Sequence, residues 1–217
     1  MTSASRHVWV VDDDESVRVA LRRLLSSAGF NVTAFPSASA FIEQSLEGSP
    51  ACLVLDQRMP DVSGLELQRT INRRDSATSI IFITGHADVR ASVEAMKAGA
   101  VDFLMKPVEE DALIDAVTRA LGRSAQLIDT NRERDTFLHR CARLTPRERD
   151  VAKLVLHGLL NKQIAGQLGI AEKTVKVHRG RLMQKLAVTS VAELVRLAER
   201  THAFGVVPPP STGSFES

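Results

Sequence analysis

The sequence predicts an α/β fold followed by a small all-helical domain. Short runs of almost wholly apolar residues alternate with helical patterns as far as about residue 120, and only helical patterns follow residue 144. The charge balance changes between the same two parts. Residues 1–120 hold 12 lysines and arginines against 17 acidic residues, whereas residues 142–201 hold 12 against 5. Two parts of opposite charge predict two tasks, and the basic part favours a polyanionic partner.

Apolar runs of four or five residues predict the strands of the first part. They are Val8–Val11, Val32–Phe35, Cys52–Leu55, Ile80–Thr84 and Val101–Leu104. Apolar residues at helical spacing predict a helix after each strand. These helices span residues 16–28, 38–46, 65–71 and 89–98, and the last begins near Glu110. Apolar strands separated by helices are typical of a parallel sheet covered on both faces, so we predict a doubly wound (βα)5 fold.

The chain after residue 122 divides into a connector, a helical domain and a tail. Residues 123–141 are polar and charged, and they fit either an extension of the last helix or a loosely ordered connector. Four helices are predicted after it, at Arg147–His157, Lys162–Leu168, Glu172–Leu186 and Val191–Arg200. We therefore expect an α/β domain at 1–122, a helical linker at 123–141, a four-helix domain at 142–201 and a disordered tail at 202–217, where a triple proline lies among small polar residues.

The composition restricts the class of protein. With 44% hydrophobic and 25% charged residues, the chain has the make-up of a soluble globular protein. Its two cysteines, Cys52 and Cys141, lie far apart and have no partner at metal-ligand spacing. Neither a disulfide framework nor a zinc site is predicted, and a reducing, cytoplasmic compartment fits best. We expect no signal peptide and no transmembrane segment.

Charged and hydroxyl side chains follow four of the predicted strands. Asp12 and Asp13 come after the first strand, Asp56 after the third, Thr84 at the end of the fourth and Lys106 after the fifth. Because the carboxyl ends of parallel strands meet at one edge of a sheet, we expect these residues to share a crevice. Three carboxylates repel one another, so the site needs cations, which the lysine and a Mg²⁺ ion would supply. Such a site suits a phosphoryl group attacked by a carboxylate.

Four motifs around these residues resemble the signature of two-component receiver domains. They are Val-Val-Asp12-Asp13-Asp-Glu, Leu-Asp56-Gln-Arg-Met-Pro60-Asp-Val-Ser-Gly64, Ile-Thr84-Gly-His and Phe-Leu-Met-Lys106-Pro107. The resemblance covers essentially all of residues 6–122. Residues 84–89 and 96–100 are particularly similar to the FixJ branch of these proteins.

This resemblance implies a role for each residue of the crevice. Asp56 is the expected phosphoacceptor. Asp12, Asp13 and the backbone carbonyl of Arg58 are expected to join Asp56 in holding Mg²⁺. Lys106 is expected to contact the phosphoryl group.

The receiver resemblance also implies a switch. Thr84, which is expected to contact the phosphoryl group as well, and Phe103 look like the pair whose rearrangement reports phosphorylation. The signal would reach the face formed by the fourth helix and the fifth strand. Phe103 can serve in this pair and in the apolar core at the same time.

The basic part resembles the LuxR-type, four-helix DNA-binding domain over residues 142–201. The resemblance is carried by Leu144-Thr-Pro-Arg-Glu-Arg, Gly158-Leu-Leu-Asn161-Lys162-Gln-Ile-Ala165 and Thr174-Val175-Lys-Val-His178-Arg-Gly-Arg-Leu182-Met-Gln-Lys185-Leu186. It implies that residues 172–186 form the recognition helix of a helix-turn-helix. Ala171 stands where the family usually has serine, and because alanine cannot cap, this helix start should lose about 1 kcal/mol.

The expected recognition helix has an apolar face and a basic face. Val175, Leu182 and Leu186 point in one direction to within about 20°, at 100° per residue. The residues expected to bind DNA are Lys162, Lys173, Thr174, Lys176, Val177, His178, Arg181, Gln184 and Lys185. Val177 is apolar on the basic face, where it could touch a thymine methyl, although single exposed valines are common. His178 and Lys185 lie at the edges and are expected to contact phosphates.

Together the two resemblances predict a response regulator of the NarL/FixJ type. The expected partners are a sensor histidine kinase, double-stranded DNA with an approximate inverted repeat, RNA polymerase and, after phosphorylation, a second copy bound through the receiver. No membrane partner and no external substrate are expected. One alternative is a receiver that dimerises without phosphate. Another is an aspartyl phosphatase or phosphotransferase of the haloacid dehalogenase type, which usually has an aspartate where this chain has Arg58.

Overall fold

The computed structural model describes residues 7–43, 50–60, 62–74, 77–85 and 89–205. The chain forms two compact units that divide between residues 130 and 131. The predicted end of the second helix beyond residue 43 lies outside the described residues. Among the helices of the described ranges, none has the length and apolar character needed to span a membrane.

The first unit alternates strands with helices, as predicted. The strands are β1 His7–Val11, β2 Asn31–Phe35, β3 Ala51–Asp56, β4 Ser79–Thr84 and β5 Asp102–Met105. The helices are α1 Glu15–Ser27, α2 Ala38–Ile42, α3 Gly64–Arg74, α4 Val89–Lys97 and α5 Glu110–Ala142. All neighbouring strands pair in parallel, in the order β2-β1-β3-β4-β5. The strand order reverses at β1, so a crevice opens beyond the carboxyl ends of β1 and β3.

Apolar side chains cover both faces of the sheet. In β3, Cys52 and Val54 belong to one buried cluster, which also contains residues of α1 and α5. Leu53 and Leu55 belong to a second cluster, which contains residues of α2, α3 and α4. Successive residues of a strand face opposite sides, so a strand buried on both faces is apolar throughout. This explains the continuous apolar runs and places Cys52 in the core.

The connector is helical throughout. Helix α5 continues for 33 residues, from Glu110 to Ala142, and so passes from the first unit into the second. Its buried Ser124 accepts a hydrogen bond at Oγ from the backbone N–H of Ala51, at 3.0 Å. Phe137 and Cys141, near its end, are buried in the core of the second unit. These contacts explain why a polar segment is a helix and not a loose connector.

The second unit consists of helices. They are α6 Pro146–Leu156, α7 Asn161–Leu168, α8 Glu172–Leu186 and α9 Val191–Thr201, followed by a short 3₁₀ helix at Ala203–Gly205. Ala203 is buried in the same apolar cluster as Phe137, and Phe204 packs against that cluster. The prediction of a disordered tail from residue 202 was therefore wrong for residues 202–205. The rest of that predicted tail, 206–217, lies outside the described residues.

Side chains cap the starts of α6 and α9 but not the start of α8. At α6, Glu148 Oε2 accepts from the Thr145 N–H at 2.8 Å and Thr145 Oγ1 accepts from the Glu148 N–H at 3.3 Å, so the capping box is complete. At α9, Ser190 caps the helix, but the Glu193 carboxylate binds the N–H and hydroxyl of Thr189 instead of the Ser190 N–H. At α8, Ala171 provides no side-chain cap, as predicted.

Candidate functional site

An ion-paired cluster lies in the crevice beyond β1, β3 and β5. Lys106 Nζ is 2.6 Å from Asp12 Oδ2 and 2.8 Å from Asp56 Oδ1. Asp12 is fully buried and Asp56 is 5% exposed, whereas the side chain of Lys106 is 23% exposed. Two buried carboxylates therefore share one ammonium group, and the cluster keeps a net negative charge that can attract a second cation.

The electrostatics of the cluster keep its lysine charged. Burial raises the pKa of Asp56, while the hydrogen bond and the charge of Lys106 oppose that shift. Burial alone would lower the pKa of Lys106, but its hydrogen bonds to Asp12 and Asp56 and their charges raise it overall. Lys106 is therefore a firmly held cation beside the Asp56 carboxylate.

The backbone after β3 fixes the position of Asp56. The Arg58 N–H donates to Asp56 Oδ2 at 2.9 Å, and the Gln57 N–H donates to the Ile83 carbonyl at 3.0 Å. Gly64 closes the turn by donating its N–H to the Gln57 carbonyl at 3.0 Å. A Cβ atom on Gly64 would lie 2.5 Å from the Asp56 carbonyl oxygen. This close approach explains the glycine at the end of the Asp56 motif.

The loop between β1 and α1 supplies the remaining acidic residues. Asp14 caps α1 by accepting from the Ser16 N–H at 2.8 Å and from the Ser16 hydroxyl at 2.6 Å. Asp13 is exposed. Within the described part of the chain, no three acidic, histidine or cysteine side chains gather into a metal-binding cluster. The candidate donors Asp12, Asp13 and Asp56 are nevertheless all carboxylates, the ligand type that a hard ion such as Mg²⁺ prefers.

The two predicted switch residues lie on adjacent strands. Thr84 is buried at the end of β4, and its carbonyl accepts from the Lys106 N–H at 2.7 Å. Phe103, in β5, is half-buried and stacks on Phe82, with ring centroids 6.0 Å apart. Thr84 therefore belongs to the crevice, whereas Phe103 lies further back along its strand. Their role as a switch stays a prediction.

Helix α8 has the two faces that the sequence indicated. Val175, Leu182 and Leu186 are buried. The exposed residues among the predicted DNA contacts of α8 are Lys173, Thr174, Lys176, Val177, Arg181, Gln184 and Lys185. His178 is half-buried, and its buried Nδ1 atom has no hydrogen-bond partner among the described residues. Lys162 is exposed in α7.

Lys185 has a structural partner that the sequence analysis missed. Its ammonium group lies 2.6 Å from Glu148 Oε2 and 3.4 Å from the Arg143 carbonyl. Glu148 is only 3% exposed, and the hydrogen bond from Lys185 lowers the pKa of Glu148 to about 2. Lys185 therefore joins α8 to α6, and its charge is already balanced. Its predicted contact with a DNA phosphate stays a prediction.

Replacing Lys185 by methionine should destabilise the second unit by about 3–5 kcal/mol, because it leaves Glu148 buried without its cation. The control is Lys176→Met, which removes an exposed pair with Glu172 worth about 0.3–0.5 kcal/mol. Urea unfolding of both variants gives the comparison. The folded-state pKa of Glu148 is depressed, so its contribution is present above about pH 4.5 and is lost as the pH falls towards 2. Equal losses in the two variants would contradict the structural role.

A second missed residue, Arg179, connects the two helices of the predicted DNA-binding motif. Its Nη1 donates to Asn161 Oδ1 at 3.0 Å. Asn161 is the first residue of α7, so the contact holds the start of that helix against the middle of α8. The sequence contained no signal for it, because an arginine on a basic helix also fits a DNA contact.

Two family descriptions cover most of the chain. Residues 8–118 match the response regulator receiver domain, and residues 142–198 match the bacterial regulatory proteins of the luxR family. The chain is 46% identical over 191 residues to the transcriptional regulatory protein FixJ of Azorhizobium caulinodans, covering 88% of this chain and 90% of that protein. The chain belongs to the NarL/FixJ family of response regulators. It is therefore a two-component response regulator that acts in transcription regulation.

Other response regulators of known sequence or structure resemble this one closely. Nodulation protein W of Bradyrhizobium diazoefficiens is 44% identical over 192 residues, which cover 88% of this chain and 85% of that protein. The structure of the response regulator StyR has a TM-score of 0.74 and 50% identity, covering 89% of this chain and 98% of that one. These relatives confirm the predicted fold class and the predicted family.

Proposed function

We propose that this response regulator is switched by phosphorylation of Asp56, with a sensor histidine kinase as the phosphoryl donor. The observation that carries the proposal is the Lys106 ammonium group shared by Asp12 and Asp56. A carboxylate oxygen of Asp56 forms a bond to phosphorus, and the bond from phosphorus to the kinase histidine breaks. Lys106 stays protonated and neutralises charge on the phosphoryl oxygens. The phosphoryl group ends on Asp56 of this chain, so no external substrate is proposed.

Magnesium is the proposed cofactor of the crevice. The residues that would hold it are Asp12, Asp13, Asp56 and the backbone carbonyl of Arg58. Two features support the assignment: the donors are all oxygen atoms, and one negative charge is left after Lys106 has paired with both buried carboxylates. When bound, Mg²⁺ neutralises phosphoryl charge together with Lys106.

Phosphorylation is proposed to promote a homodimer through the receiver. Thr84 and Phe103 would carry the signal to the face of α4 and β5. Four apolar side chains are exposed on these two elements, Val89, Val93, Met96 and Met105. Exposed apolar patches on soluble domains often mark interaction sites, and this patch fits a second copy of the receiver.

The proposed targets are double-stranded DNA and RNA polymerase, reached in the cytoplasm. The exposed basic face of α8 fits a major groove, and Lys162 of α7 adds a further cation. A helix-turn-helix dimer places two recognition helices about one DNA turn apart, so the binding site should be an approximate inverted repeat.

Acetyl phosphate provides the direct test of the phosphoacceptor site. The chain should take up one phosphoryl group in the presence of Mg²⁺ and none when the metal is removed, as read by intact mass. Peptide mapping should place the group on Asp56. If the chain takes up none with Mg²⁺ present and still binds its DNA, it is a regulator that works without phosphate.

Val177 is expected to read sequence and Lys173 to contact the DNA backbone. Val177→Ser should change the preference at one base position by about 1–3 kcal/mol, because it removes the apolar contact to a thymine methyl. Lys173→Ala should weaken binding to all sequences alike and reduce the salt slope by about one. Binding to duplex variants across a salt series measures both. Unchanged sequence preference in Val177→Ser, with altered preference in Lys173→Ala, would mean that the helix faces the groove at another angle.

A further inference from the structure

The loop that carries the acidic residues is held at both of its ends. The Asp12 N–H donates to the Phe35 carbonyl of β2 at 3.3 Å, and the Asp14 N–H donates to Asp12 Oδ1 at 2.9 Å. The Asp14 carboxylate in turn caps α1 through Ser16. Asp12 and Asp14 are thus fixed by contacts within the loop and with its neighbouring elements, while the Asp13 side chain is exposed.

One arginine fixes the middle of this loop. Arg18 Nη1, from the second turn of α1, donates to the Asp12 carbonyl oxygen at 2.8 Å. That carbonyl belongs to the peptide group between Asp12 and Asp13. Because a peptide group is planar, fixing its oxygen also fixes the direction in which the chain enters Asp13. The arginine is half-buried, and it acts on the backbone between two of the proposed metal ligands.

We propose that Arg18 is a positioning residue for the divalent ion of this crevice. The inference rests on the proposed function, because it takes the Asp12 and Asp13 carboxylates as ligands. Arg18 holds the Asp12–Asp13 peptide so that the exposed Asp13 carboxylate meets the metal at the same site as the buried carboxylates. Lys106 has a separate task, because it contacts the carboxylates of Asp12 and Asp56 directly and not the backbone between Asp12 and Asp13.

The direction in which metal affinity changes separates a positioning role of Arg18 from a purely electrostatic one. A guanidinium group near a cation site repels the metal, so if charge alone mattered, removing Arg18 would tighten metal binding. If Arg18 positions the loop, removing it weakens metal binding, because the loop must be ordered when the metal binds. Groups that orient metal ligands typically change metal affinity by about 10–100-fold when they are replaced.

The test measures Mn²⁺ binding to the full chain by electron paramagnetic resonance, with no phosphoryl donor present. Arg18→Gln, whose amide is too short to reach the carbonyl, should bind Mn²⁺ about tenfold more weakly than wild type. Arg18→Lys keeps a donor on a long stem and should recover part of the loss. Arg22→Gln is the matched control: it removes the same charge from an exposed position one turn along α1 and should bind like wild type. In acetyl phosphate assays, Arg18→Gln should need more Mg²⁺ for half-maximal rate but reach the wild-type rate at saturation.

The outcomes distinguish a failure of the proposed metal site from a failure of the positioning role of Arg18. If the wild-type chain binds no Mn²⁺, the proposed metal site itself is wrong. If wild type binds and Arg18→Gln binds equally or more tightly, the positioning role is overturned while the metal site stands. Circular dichroism checks that each variant folds. If Arg18→Gln does not fold, Arg18→Met, which keeps the apolar stem, replaces it in the same comparison.

Discussion

Replacing Asp56 by asparagine is expected to abolish phosphorylation by acetyl phosphate. The amide is almost the same shape as the carboxylate but is a poor nucleophile, so it cannot form the bond to phosphorus. The substitution also removes one of the two carboxylates that share Lys106, and divalent metal affinity should fall with it. Intact mass after saturating acetyl phosphate and Mg²⁺ measures the first effect, and Mn²⁺ binding measures the second.

A matched control for this substitution is Asp115→Asn. Asp115 is an exposed aspartate of α5. This variant loses the same charge but should take up one phosphoryl group at the wild-type rate. If Asp56→Asn takes up phosphate as fast as the control, another residue is the phosphoacceptor.

Replacing Lys106 by alanine is expected to leave Asp56 open to phosphorylation but to abolish the dimerisation that follows. Lys106 holds the Asp56 carboxylate directly, and its backbone N–H binds the Thr84 carbonyl. Without the ammonium group, the phosphoryl group on Asp56 is no longer coupled to the Thr84 and Phe103 pair. Divalent metal should bind more tightly, because two carboxylates lose the cation they share.

Sedimentation before and after acetyl phosphate treatment measures this uncoupling. Mg²⁺ must be present throughout, because Asp12 without Lys106 is a buried unpaired carboxylate, and breaking such a pair costs about 3–5 kcal/mol. Arg23→Ala, at an exposed position of α1, is the cationic control and should dimerise normally. Phosphate-dependent dimerisation of Lys106→Ala at the wild-type level would contradict the coupling role.

The sequence was sufficient to predict the strands and helices of the first unit because its strands are largely apolar, and the central strands β3 and β4 are buried on both faces. β3 is an example: its alternate residues join two different clusters, so every position except the terminal aspartate must be apolar or small. The sequence could not decide in the same way that α5 is one continuous helix. Its connector residues are mainly polar, and the burial of Phe137 depends on partners in α6–α9 that lie far away in sequence.

In the site, too, contacts set by the chain topology could be predicted from the sequence, whereas contacts set by side-chain geometry could not. The contact of Lys106 with Asp12 and Asp56 follows from parallel strands that end at one edge of the sheet, so the sequence could indicate it. The roles of Arg18 and Lys185 depend on which atom each long side chain reaches. In the sequence, a lysine on a basic recognition helix indicates only a DNA contact. The ion pair of Lys185 with the buried Glu148 is visible only in the structure. The capping box formed by Thr145 and Glu148 marks the glutamate in the sequence but does not show that it is buried.

The most direct measurement of the central claim is the DNA affinity of one preparation before and after phosphorylation. The probe is a duplex selected from a random pool by the phosphorylated protein, and intact mass reports the fraction phosphorylated. We expect one phosphoryl group on Asp56 to raise the affinity about tenfold, within the usual range of coupling between two sites, and Asp56→Asn to show no change. Complete phosphorylation of Asp56 with unchanged DNA affinity, or an equal response in Asp56→Asn, would contradict the account.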